Sequence, residues 1–93
     1  KAFRLFHQLK NGDKLEAYIL INTEPGKSWE IAEAALKIEG VKKAHAVTGQ
    51  YDVIAYVEFI NMNELGRIIS EIQSIKGVTR TQTAIAMALR LKE

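Results

Sequence analysis

The chain has 93 residues, 47% hydrophobic and 26% charged, a balance that fits one globular domain and is too short for two. Its net charge of +2 is too small for the clustered Lys/Arg footprint of a nucleic-acid binder. No apolar run could span a bilayer, residues 1–8 carry no signal-peptide core, and zero cysteines exclude a disulfide framework or a thiolate site, so a cytoplasmic setting is expected.

Residues 1–15 are predicted to be an N-terminal arm or linker, with Phe3, Leu5 and Leu9 leading to Asn11-Gly12, a type I′ hairpin signal. Residues 16–93 form the domain. Glu16 to Thr23 reads as a strand broken by Glu24-Pro25-Gly26, and Lys27 to Glu39 as a helix capped by Ser28. At about 100° per residue, Trp29, Ala32, Leu36, Ile31, Ala34, Ala35 and Ile38 cover more than half of that helix. A helix resting on one sheet needs a narrower stripe, so a second contact, with another subunit, is expected.

Lys42 to Thr48 is a second strand, Thr48-Gly49-Gln50 a tight turn, and Tyr51 to Ile60 a third strand. Asn61-Met62-Asn63-Glu64 has the form of a capping box opening a helix, whose Met62, Leu65, Ile68, Ile69, Ile72 and Ile75 recur at helical spacing. Thr79 to Met87 closes the chain as a fourth strand. The segment Ile38-Glu39-Gly40-Val41 returns 37 residues later as Ile75-Lys76-Gly77-Val78, each copy after a helix and before a strand. Strand–helix–strand is therefore written twice. The prediction is an α+β, ferredoxin-like βαββαβ sandwich, with both helices on one face of a four-stranded antiparallel sheet.

The other sheet face then needs a cover. Val53, Ala55, Val57 and Phe59 point one way and Ile54, Tyr56 and Ile60 the other, with Glu58 the exception; Tyr18 and Leu20 oppose Ile19 and Ile21. A wet face would show polar residues at alternate positions. A second copy of the sheet is the simplest cover, giving a dimeric, barrel-like pairing.

Catalytic and metal signals are weak. His7 and His45 fall in different elements and no acidic or histidine cluster has ligand spacing, so no metal, cofactor or enzymatic activity is expected. Lys42, Lys43 and His45, joined by Arg80, form the only local basic excess and read as a solvated strand end. Asp52, beside the glycine turn, reads as an acceptor of turn amides.

Three stretches carry a family resemblance. Glu39-Gly40-Val41 followed by Val47-Thr48-Gly49-Gln50-Tyr51-Asp52 resembles the Gly-x-Tyr-Asp hairpin of Lrp/AsnC (feast/famine) transcription regulators. Lys76 to Thr83 resembles the last strand of their effector-binding RAM domain, and Ala17 to Thr23 with Pro25-Gly26 its opening strand and turn. The resemblance implies sheet-to-sheet dimers, octamers or related rings, and a free amino acid bound between dimers. By matching position it implies Thr48, Gly49, Tyr51 and Asp52 in the hairpin, and Thr81 and Thr83 on the last strand, as ligand contacts. Turn amides and hydroxyls suit a carboxylate, and Asp52 suits an ammonium. A helix-turn-helix needs about 50 residues ahead of Phe3. The expectation is thus a stand-alone RAM-type chain or a piece of a longer regulator, partnering with itself and with full-length relatives and without DNA binding of its own. Two alternatives remain open: a small dimeric α+β-barrel enzyme, which needs a polar group such as His45 or Tyr56 beneath the sheet, and an ACT-like regulatory module.

Overall fold

The computed structural model describes residues 14–87, so the predicted N-terminal hairpin lies outside the described residues. The elements are β1 (Leu15–Thr23), α1 (Ser28–Leu36), β2 (Val41–Ala46), β3 (Val53–Phe59), α2 (Met62–Gln73) and β4 (Val78–Ile85). They form one four-stranded antiparallel sheet in the order β2-β3-β1-β4. The ferredoxin-like βαββαβ arrangement expected from the repeat is the one observed.

One sheet face carries the core. Ala17, Ile19 and Ile21 of β1 pair with Val57, Ala55 and Val53 of β3, and all six are fully buried. Ile31 and Ala32 of α1 and Leu65, Ile68 and Ile72 of α2 close over them. Among the described residues no polar or charged side chain is buried, so this layer is held by apolar burial alone.

The repeat has a physical cause. Gly40 and Gly77 follow the two helices with φ of +102° and +101°, in the left-handed region that favours glycine. A Cβ on Gly40 would lie 2.6 Å from Ile68 Cδ1, and one on Gly77 3.1 Å from Ile31 Cδ1. The 37-residue offset that relates the glycines also relates Ile31 to Ile68. Each half of the chain therefore sends its helix-terminal glycine against the other half's isoleucine. A side chain at either glycine would push a core residue away.

The helix starts differ. At α2 the capping box forms as predicted: Asn61 Oδ1 accepts from Glu64 N at 2.9 Å, and Glu64 Oε1 accepts from Ile60 N at 2.7 Å, one residue before the cap. At α1 the predicted Ser28 cap is not made. The helix begins at Ser28 itself, and Lys27 occupies the cap position without a side-chain bond. The same helix ends at Leu36, short of the expected Glu39. Lys37 N and Ile38 N bond back three residues to Ala34 O and Ala35 O, tightening the chain into the Gly40 turn. Trp29 and Leu36 are 77% and 47% exposed, so the apolar arc of α1 extends beyond what the described residues cover.

Candidate functional site

The hairpin joining β2 to β3 is closed by Val47 N donating to Asp52 O at 2.9 Å, and its tip holds Thr48, Gly49 and Gln50, all exposed. Asp52 anchors it. Its amide donates to Ile21 O at 2.9 Å, and its Oδ2 accepts from Thr23 N at 2.8 Å, beside the register shift of β1 against β4 at Asn22 and Thr23. Asn22 Nδ2 donates to Gln50 O at 2.8 Å, and Tyr51 OH donates to Gln82 Oε1 of β4 at 2.5 Å. The hairpin is thus tied to β1 and β4, and among the described residues only one of the two Asp52 carboxylate oxygens has a hydrogen-bond partner.

The two threonines are placed elsewhere. Thr81 and Thr83 pair with Ile21 and Ile19, on the helix-covered side of the sheet, and Thr81 Oγ1 accepts from Gln73 Nε2 of α2 at 2.9 Å. Gln82, between them, faces the open side with Tyr51. Within one chain the hairpin Thr48, Gly49, Tyr51 and Asp52 form one group, and Thr81 and Thr83 another behind the sheet. Arg80 is likewise separate from Lys42, Lys43 and His45, because β2 and β4 are opposite edges of the sheet. The basic cluster read from the sequence is therefore two distant features.

Sequence reasoning missed a concavity of about 660 Å³ on the open face. Tyr18 and Tyr56 form its floor, with ring centroids 5.4 Å apart and planes tilted by 50°. Glu16 and Glu58 stand directly opposite on β1 and β3. Like charges in that relation repel. Tyr56 OH donates to Glu58 Oε2 at 3.1 Å, and Lys43 Nζ lies 5.9 Å from the Tyr56 ring centroid. Removal of the phenol from water, then hydrogen bonding to Glu16 and Glu58 and their negative charge, push Tyr56 up to about 12. The open face, expected to be apolar apart from Glu58, thus also carries Glu16, Lys43 and His45. It has an apolar and aromatic centre of Tyr18, Leu20, Ile54 and Tyr56, with charges at its border. Strand alternation puts Glu16 on the side of Tyr18, and the pairing register brings it opposite Glu58.

Among the described residues, no group of three or more His, Cys, Asp or Glu could hold a metal ion, and no helix is long and apolar enough to cross a membrane. Residues 16–92 match the Lrp/AsnC ligand binding domain. The chain belongs to the Lrp/AsnC family. It is 30% identical over 88 residues to the HTH-type transcriptional regulator LysM of Sulfurisphaera tokodaii, covering 94% of this chain and 61% of that protein. The chain therefore spans about three fifths of that relative's length. Among solved structures, Thermus thermophilus TTHA0845 superposes with a TM-score of 0.78 at 29% identity, covering 84% of this chain and 99% of that one. The complex of the Neisseria meningitidis transcriptional regulator NMB0573 with L-Met superposes with a TM-score of 0.73, over 92% of this chain and 57% of that one. At 20% identity this last likeness is one of fold. An Lrp/AsnC ligand-binding domain is a regulatory part, and the relatives' names are those of transcription regulators rather than enzymes.

Proposed function

We propose that this Lrp/AsnC domain is a cytoplasmic amino-acid sensor that dimerises through its open sheet face and assembles further into an octamer or ring, alone or with full-length regulators. The observation carrying this reading is the anchored Thr48–Asp52 hairpin: exposed turn amides beside a carboxylate with one oxygen unbonded among the described residues, the donor and acceptor set of a zwitterion's two ends. The L-Met found on the Neisseria regulator supports the ligand class. Because Thr81 and Thr83 lie behind the sheet of their own chain, a site using all six residues joins the hairpin of one dimer to the last strand of another. The exposed Trp29 and Leu36 of α1 give a further surface for contacts between subunits. With a net charge of +2, the isolated chain is not expected to retard duplex DNA in a sequence-dependent way.

Calorimetry across the twenty amino acids tests the sensing role. Asp52 also holds the Thr23 amide, so two substitutions are needed to separate its roles. Asp52→Asn keeps a side-chain oxygen for that amide while removing the charge. It is expected to weaken binding by about 1–3 kcal/mol with stability nearly unchanged, whereas Asp52→Ala lowers both. If no amino acid binds below millimolar concentration, or Asp52→Asn binds as the wild type does, the sensing role fails and oligomerisation alone stands.

A further inference from the structure

The open sheet face carries charges that form no ion pair among the described residues. The ion pairs among the described residues are Lys27–Glu30, Arg67–Glu64 and Arg67–Glu71, none on this face. Glu16 and Glu58 sit opposite each other at one end of the face, while Lys43 and His45 occupy the β2 edge, opposite Tyr56 and Ile54. Taking the dimer proposed above as the starting point, a second copy must meet this pattern across a two-fold axis lying in the interface.

The register allows each choice of axis to be tested for charge. An axis along the strands lays β1 over β3 of the second copy and stacks Glu16 on Glu58, collecting four carboxylates. An axis across the strands keeps β2 over β2, so that Lys43 meets His45 and Glu58 approaches Asp52. One diagonal leaves Glu16 and Glu58 against Ala84 and Gln82, without a cation. The other diagonal, passing through Tyr56 and Leu20, lays Lys43 over Glu58, His45 over Glu16, and Ile54 over Tyr18. It alone gives both carboxylates a basic partner and keeps the apolar centre on the axis. It also corresponds to near-orthogonal sheet packing, one of the two preferred modes. Facing sheets stand about 10 Å apart, a gap that a lysine and a glutamate side chain can close together.

We infer that the second copy packs on this diagonal, with Lys43 of each subunit paired to Glu58 of the other and His45 to Glu16, so that these charges set the orientation and the self-selectivity of the dimer. The apolar centre supplies affinity for any similar sheet. The border charges reject orientations and partners that stack like on like. The Lys43–Tyr56 contact holds the ammonium over the ring, at the diagonal from Glu58, poised outward from the sheet.

Mixing two charge-reversed chains is the decisive experiment, because pairing within a chain cannot reproduce its outcome. Lys43→Glu alone places two acidic contacts in each homodimer, and Glu58→Lys alone places two basic ones. A mixed dimer holds one reversed and one wild-type pair, both attractive. Circular dichroism first verifies that each variant is folded, and native mass spectrometry then counts the species in a one-to-one mixture. The expected result is that each variant alone dissociates at least about tenfold more readily than the wild type, while the mixture is dominated by mixed dimers. Wild-type dimers together with random mixing, in which about half of the dimers are mixed, would overturn the diagonal pairing and leave the dimer itself intact. A wild-type chain that is monomeric would overturn the dimer reading and this pairing with it.

Discussion

The two faces of the sheet are built from the same strands and finished in different ways. On the helix side, Ala17, Ile19, Ile21, Val53, Ala55 and Val57 are fully buried within one chain, with no polar neighbour among the buried residues. On the open side, Tyr18, Leu20, Ile54 and Tyr56 remain partly exposed beside Glu16, Glu58, Lys43 and His45. The first face needs only shape and volume, because its partners are fixed by chain connectivity. In the proposed dimer the second must select a partner from solution, a task suited to its combination of apolar area with charge. The contrast also separates folding from assembly: changes on one face should alter a concentration-independent stability, and changes on the other a concentration-dependent one.

The sharpest break of this contrast is Ile68→Ala. It removes a fully buried side chain and the contact against Gly40, and is expected to cost about 2–5 kcal/mol in urea unfolding at any protein concentration. On the other face, Ile54→Lys sets an unpartnered charge in the centre of the interface. It should abolish the concentration dependence of Tm and leave a monomer in sedimentation, with far-UV circular dichroism unchanged. If Ile54→Lys instead unfolds the chain at all concentrations, folding and assembly are not separable in this domain.

A smaller effect belongs to the helix starts. Asn61→Ala should cost about 1 kcal/mol by chemical denaturation, since it removes the side-chain cap of α2. Ser28→Ala should cost less, because α1 makes no side-chain cap bond there. The last effect is spectroscopic. Tyr56 is held up to about 12, and as the folded value lies above the unfolded 10.0, its stabilising contribution is intact below pH 10 and lost as pH rises through about 12. An absorbance titration should show one late-ionising tyrosine, absent in Tyr56→Phe and moved down in Glu58→Gln.

Much of the helix-side architecture was legible in the sequence, because the 37-residue repeat, the Asn61 capping box and the alternation of β3 are local patterns with one physical reading each. Ser28 misled because a serine near a helix start caps only if the chain enters in extended geometry, and Lys27 enters at φ −107°, ψ 0°. The candidate site was less legible. Which face Thr81 and Thr83 occupy depends on strand register, and the shift at Asn22 and Thr23 lies within that pairing. Asp52 was expected to accept amides of its own turn; its Oδ2 instead accepts from Thr23 N at the end of β1, 29 residues away in the chain. The Glu16–Glu58 opposition is also a matter of register between strands far apart in sequence.

Light scattering of the 93-residue chain at micromolar concentration tests most directly the claim that a second copy covers the open sheet face. A particle of at least twice the chain's mass is expected, reduced to the single chain by Ile54→Lys. A monodisperse monomer of wild-type protein would contradict it.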